Sequence, residues 1–504
     1  MTAADTAIRG KRRAPILILV LVLLGAGIAA GRPSSHTTNQ VSLPIDAAQT
    51  ANPRTISSAW YCPGVPASFP AADQTITLSN LGSTDSDAVI TVHPDDGADA
   101  IVRTVLVPKA SVRTFSRATL TAVSINADGT INATAAKPLP PGAVVVEPFS
   151  PDVVVSAGVE TNDALAVVPC GTTASGDWYF AAGTTVRGVS QWLVLDDPFS
   201  TDARVDVTLR TDGGLQQLPS LTGLDVPGRS RVVIPIQDSA VRQQRVAVEV
   251  HAEVGRVVAS QTLAFTGASG QPGVATTLGA LAPSSSWWFA DGRAFPDSDQ
   301  RVAITDVGVI DAHVVVQALI GMQGIVQPVA LTVPSGQVSW VQIGGCARNA
   351  KDCLAVPKNI GYELTVQSEA RVPIVAQTLS RFSDTGTALG AVSSMGSTTP
   401  ARQWVIPRTR ASDPKSSSIA LLNTGVTPAK VSVEVVHDGV VDRPARLQDY
   451  TVAAGGRVVL PSGLSGVTRP TDTAVVVTSN VPLFAEWTIY AKRDATRSAG
   501  IPTR

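Results

Sequence analysis

Residues 177–185 read DWYFAAGTT, and residues 287–293 read WWFADGR. A phrase written twice, about 110 residues apart, marks either a catalytic site or the start of a repeated domain. A catalytic site would bring acids, bases or ligands with it, and a domain start would bring a repeated frame. The frame is present. A Trp opens an apolar run at Trp60, Trp178, Trp288 and Trp404, at intervals of 118, 110 and 116 residues. An Asn or Asp ends a second run at Asn80, Asp197, Asp306 and Asn423, at intervals of 117, 109 and 117. A turn leads into a third run at Pro108, Pro227, Pro334 and near Ala453, and a closing run carries Ala157, Ala259, Ala376 and Ala485. Four markers in one order at nearly one spacing indicate a fourfold repeat.

Within each repeat the periodicity is that of strands. VDVTL (205–209), VAVEV (246–250), ELTVQ (363–367) and VSVEVV (431–436) alternate apolar and polar residues, and DDG, DGG and HDG supply turns. Helical signals are nearly absent after residue 31. A repeat of about 110 residues with about seven short strands predicts an all-β chain: four immunoglobulin-like antiparallel sandwiches in tandem. A propeller blade would repeat at roughly 40–50 residues. The marker Asn or Asp has a plain role, an Asx-turn that caps the exit from its strand. The marker Trp reads as a core ring covering one end of each sandwich, because an aromatic ring buries a large apolar area.

Bulk composition sets the class. Charged residues are 16% and hydrophobic residues 44% of 504, too apolar for a disordered chain, and a net charge of −1 gives no basic face for nucleic acid. The first residues stand apart. Arg9, Lys11, Arg12 and Arg13 precede the uncharged, mostly apolar run 14–31, and cations before such a run keep the N-terminus cytoplasmic. The expected organisation is a cytoplasmic basic tail (1–13), a transmembrane signal anchor (14–31), a polar linker (32–56), and repeats at 57–171, 172–282, 283–398 and 399–504. The small residues Gly27 and Ala29 leave cleavage of that segment as the alternative. Of four cysteines, Cys346 and Cys353 lie seven apart in one loop, and Cys62 and Cys170 bracket the first repeat. These pairings are expected as two disulfides, the alternative being four free thiols. No Cys-x-x-Cys pair or His spacing suggests zinc.

WYFAAGTT and WWFADGR, a strand ending in Asp or Asn, and later VPIVAQ or VPLFAE are similar to a family of secreted or membrane-anchored actinobacterial proteins. That family carries tandem β-rich repeats with a Trp-Tyr-Phe-Ala-Glu-Gly-Thr-like phrase and is catalogued as a domain of unknown function. The resemblance covers roughly residues 57–504 and is clearest in repeats two to four. Ala182 and Asp291 stand where the phrase usually has Glu, and the repeats at AWYCPG and QWVIPRT keep only the Trp. What the resemblance implies is location and architecture; it carries no activity.

Catalytic groupings are weak. No Gly-x-Ser-x-Gly elbow occurs, and His36, His93, His251, His313 and His437 share no ligand spacing. Asp196/Asp197 and Asp297/Asp299 are the candidate acid pairs for glycoside hydrolysis, and Asp297/Asp299 is also a weak Ca²⁺ candidate. The expectation is a non-enzymatic extracytoplasmic module without cofactor. It would be held to the cell membrane by one N-terminal helix and present loops to an envelope protein or wall polymer, with no nucleic acid. The alternative is an envelope carbohydrate hydrolase or glycan-binding accessory protein. The loops singled out for binding are 122–142 and Cys346–Cys353, the first read as an aperiodic segment.

Overall fold

The computed structural model describes residues 59–503 apart from 70–73, 96–98, 118, 121, 126–130, 138, 162–163, 267–271, 322–323, 383–389, 410–416, 461–471 and 492–493. The basic tail, anchor and linker expected over 1–56 lie outside the described residues. Among the described residues no helix is long and apolar enough to cross a membrane.

The chain is all-β, with antiparallel pairing throughout except one short parallel contact between Val338–Ile343 and Cys353–Leu354. Its strands form sheets two by two along the sequence. The first pair runs in the order Trp60–Cys62, Gly142–Pro148, Ser86–Pro94, Ile101–Val107, and Leu165–Pro169, Val153–Glu160, Gln74–Asn80, Ser111–Ser116. The second pair opens with Asp177–Phe180 and the third with Ser286–Arg293. In the last, the 18-residue strand Thr473–Tyr490 belongs to both sheets. The alternation anticipated from the sequence is visible in burial: Ala203–Thr211 and Ala429–His437 turn Val205, Val207, Val431 and Val433 inward with polar residues between them. Segment 122–142 is not aperiodic. Ala122–Ile125 and Ile131–Lys137 pair antiparallel as a two-stranded sheet, because two β-prone runs stand close in sequence.

Four strands recur in each two-sheet unit: an opening, a marker, a closing and an axial strand. The opening strands are Trp60–Cys62, Asp177–Phe180, Ser286–Arg293 and Ala401–Thr409. The marker strands are Gln74–Asn80, Val189–Asp197, Asp299–Asp306 and Ser417–Asn423. The closing strands are Val153–Glu160, Val258–Phe265, Ile374–Phe382 and the second half of Thr473–Tyr490. The axial strands are Leu165–Pro169, Gly273–Leu278, Gly390–Met395 and Ala495–Ala499.

Register makes the units comparable residue by residue. Leu195 pairs with Ala259, Ile304 with Ala376 and Leu421 with Ala485, each two residues before the marker. In the first unit that rule gives Leu78 opposite Val155, so the equivalent closing residue is Val155 and not Ala157. The turn after the third marker also recurs: Ala110, Arg229, Gly336 and Gly455 all have positive φ, at 46°, 57°, 70° and 60°.

The units are arranged in a ring. Each axial strand packs chiefly against two others, the first on the second, the second on the third, the third on the fourth, and the fourth back on the first, with a smaller contact of the second on the fourth. Leu165, Ala166, Val167, Val274, Ala275, Ala391, Val392, Ala495 and Thr496 are all buried there, so the axis is packed and not a pore.

Candidate functional site

The aromatic phrase sits where each unit meets the next. Its first ring is internal to the unit. Trp178 Nε1 donates to Val257 O at 2.8 Å, Trp287 Nε1 to Ile374 O at 2.8 Å, and Trp404 Nε1 to Leu483 O at 2.7 Å, all two residues before the closing Ala. The third ring is therefore Trp287, with none of its surface exposed, and not Trp288. Strand alternation turns Trp288 to the other face, where it stacks on Phe484 of the fourth unit at 5.0 Å.

The fifth residue of the phrase meets the following unit. Ser260 Oγ donates to Gly64 O at 3.3 Å, the Ala182 N–H donates to Gln377 Oε1 at 3.0 Å, and the Asp291 N–H donates to Glu486 Oε2 at 2.7 Å. Ser260, Gln377 and Glu486 are one position, directly after the closing Ala. In the fourth unit the fifth residue is Arg408, which reaches the first unit's Glu160, and Ser79 Oγ donates to Pro407 O beside it. Arg408 also binds Asp472 at 2.9 Å. The positions where the resemblance places a Glu are thus the four joints of the ring.

Two joints share a further device. Arg231 and Arg457 stand opposite the residue before the marker, Asp196 and Leu422. Arg231 donates to Pro63 O at 2.8 Å and forks onto Asp95, while Arg457 donates to Ala290 O and to Asp291 Oδ1. Both carbonyls belong to the fourth residue of the preceding unit's phrase. The same position holds Val112 and Val338 at the other two joints. Such forked Arg contacts fix geometry more than they add stability.

The marker residues each accept a backbone hydrogen bond from two residues on. The N–H groups of Gly82, Phe199, Gly308 and Gly425 donate to Oδ1 of Asn80, Asp197, Asp306 and Asn423 at 2.7–3.0 Å. All four markers are shut off from solvent. Asn80 Nδ2 donates to Thr84 O and Val107 O, and Asn423 Nδ2 to Thr427 O and Val452 O. Asp197 and Asp306 carry Oδ2 at that place, which finds no partner. Burial pushes the Asp197 carboxyl up to about 6 and raises that of Asp306. Asp85, Asp202 and Asp311, five residues after the first three markers, cap the turn ahead by accepting the N–H of Lys109, Gly228 and Ser335. That acid at fixed offset is readable in the sequence, although the four-marker frame does not include it.

The candidate acids do not converge. Asp196 is fully buried, 4.0 Å from His93 across the joint of units one and two, and Asp197 caps its own turn. Asp299 lies between Arg301 at 2.7 Å and Arg381 at 2.8 Å. Burial opposes its charge, and the hydrogen bonds and charge of the two guanidinium groups outweigh that, holding it below the usual carboxylate range. A carboxylate so held suits a cation poorly. Among the described residues no cluster of three or more His, Cys, Asp or Glu could hold a metal. His251 meets Asp177 at 2.7 Å, His313 meets Thr332 at 3.0 Å, and His437 meets Asp442 at 2.9 Å. Both disulfides are formed, Cys62–Cys170 and Cys346–Cys353, with Cα atoms 4.8 and 5.7 Å apart.

At the axis a single carboxylate binds all four units. Asp494 Oδ2 accepts the N–H of Leu165 and of Val274, both at 2.9 Å, and Oδ1 accepts the N–H of Ala391 at 3.0 Å and of Ala495 at 2.9 Å. Burial pushes its carboxyl up to about 7 against the pull of those four donors.

Residues 132–386, about half of the chain, match a family of unknown function (DUF5719). The chain belongs to this family. No curated protein matches it. Among solved structures, the Anabaena sensory rhodopsin transducer is 28% identical over 19% of this chain and 92% of that one, at a TM-score of 0.16. The Thermotoga maritima 1070 structure is 11% identical over 21% of this chain and 95% of that one, at a TM-score of 0.19. A tetra-tandem repeat from the extending region of a large adhesion protein is 11% identical over 86% and 96%, at a TM-score of 0.11.

Proposed function

We propose that this member of the family is a non-catalytic, single-pass membrane protein. Segment 14–31 would anchor it with the N-terminus cytoplasmic, and four immunoglobulin-like repeats would act outside as an interaction or structural module of the cell envelope. One observation carries this reading: the acids that hydrolysis would need are engaged in holding the fold, Asp197 in its turn and Asp299 between two arginines. Two disulfides support an oxidising compartment. The two-stranded sheet of segment 122–142 and the Cys346–Cys353 loop are the elements offered to a partner. In-cell cross-linking of the full-length, C-terminally tagged protein tests it. Reproducible capture of an envelope protein or intact wall polymer supports the module, and recovery of shortened polymer fragments refutes it in favour of a hydrolase.

A glycan-binding accessory role has one observation of its own. A cavity of about 410 Å³ at the joint of units one and two is lined by Trp192, Val233, Pro66 and Pro235, with Asp95 and Arg231 at its polar side. An aromatic face beside a carboxylate suits a sugar ring. Saturable quenching of tryptophan fluorescence by wall saccharides, lost in Trp192→Ala, would support it; unquenched emission would remove it.

A further inference from the structure

We propose that the four N–H groups converging on the axis are an anion-binding site that the chain fills with its own Asp494, and that this carboxylate is the latch closing the four units into a ring. The donors are one per unit and equivalent by register. Leu165, Val274, Ala391 and Ala495 pair with Glu160, Ala264, Arg381 and Tyr490, each five residues beyond the closing position of its strand. Each carboxylate oxygen receives two donors, and all four are backbone N–H groups, as in other backbone nests for anions.

The residues before the donors show how the axis makes room for the Asp494 side chain. They are Ala164, Gly273, Gly390 and Asp494 in the four units. A Cβ on Gly390 would lie 2.0 Å from Asp494 Oδ1, and one on Gly273 would lie 2.6 Å from Ala391 N. Gly390 also has φ of +97°, which only glycine adopts without strain. The second and third units make room with glycine, the first carries a half-buried alanine, and the fourth supplies the charge. A site built from four units by backbone alone should accept a small carboxylate that is not tethered.

The test uses the full chain in three forms: wild type, Asp494→Gly and Asp494→Asn, with formate as the probe and chloride as the control. Hydrogen exchange is read at the amides of Leu165, Val274, Ala391 and Ala495. In wild type the four should be protected together, and formate should change nothing. In Asp494→Gly their exchange should rise by at least about a hundredfold, since each loses a bond to a charged acceptor. Formate should restore protection saturably, and chloride should not. If this variant folds only with formate present, refolding yield against formate gives the same answer. Asp494→Asn keeps the shape but offers an N–H₂ to two donors, so it should be as loose as glycine and deaf to formate. Unequal or absent protection of the four amides in wild type, an Asp494→Gly form as protected as wild type, or one that formate leaves unrestored would overturn the proposal.

Discussion

Replacing Asp197 by Asn should stabilise the protein, and only above mild acidity. In the first and fourth units the marker is Asn, whose Nδ2 donates to carbonyls such as Val107 O and Val452 O. In the second unit Asp197 presents an unpartnered Oδ2 there, shut off from solvent. Its carboxyl is raised from 3.8 to about 6, chiefly by burial. A folded-state value above the unfolded one means that the proton favours folding: stability from this group is full below about pH 4 and is lost as pH rises through about 6. A rise of that size is worth about 3 kcal/mol at most, and less where solvent screens the charge. Asp197→Asn removes that loss and gains an amide able to reach Thr201 O and Val226 O, the register equivalents of Thr84 and Val107. Urea denaturation followed by tryptophan fluorescence should therefore show the variant more stable by about 2–3 kcal/mol at pH 8, and nearly equal to wild type at pH 4. A variant less stable at pH 8, or a difference that does not change with pH, would refute the reasoning.

Other perturbations separate the remaining claims. Losing Cys62–Cys170, which closes 108 residues, should cost on the order of 4–5 kcal/mol, and losing the seven-residue Cys346–Cys353 link about 2, measured by denaturation of the paired Ser variants. Trp287→Ala should cost about 3–5 kcal/mol by opening the core of the third unit, while Trp288→Ala should cost less and loosen the joint to Phe484, seen as exchange at that joint. Arg408→Ala leaves Glu160 and Asp472 facing each other without their shared cation and should cost about 3 kcal/mol; protease sensitivity should rise first between the fourth and first units.

What is legible in the sequence is what repeats in kind. Alternation in VDVTL and VSVEVV gives strands because one face of each sheet is buried, and the Asn/Asp marker gives its turn because a short side chain with an oxygen can cap only so far away. Spacing alone misplaces the third Trp by one because two tryptophans stand together, and only register decides which enters the core. It selects Ala157 over Val155 because it favours a small residue where a β-branched one fits equally well. The joints are hidden for a different reason. Gly64, Ala182, Asp291 and Arg408 occupy one place but differ in chemistry, since each answers a different neighbour. Asp494 is one acid among 40 acidic residues, and nothing near it in sequence tells that four distant amides end on it.

A ring has no terminal copy. Open arrays of repeats lengthen or shorten by whole copies, because the ends are capped and the middle is interchangeable. Here every copy is a middle, no two joints are closed by the same set of residues, and the axis holds four donors around one carboxylate. A fifth copy would have no seat at the axis, and a deleted one would leave Asp494 short of one of its four donors.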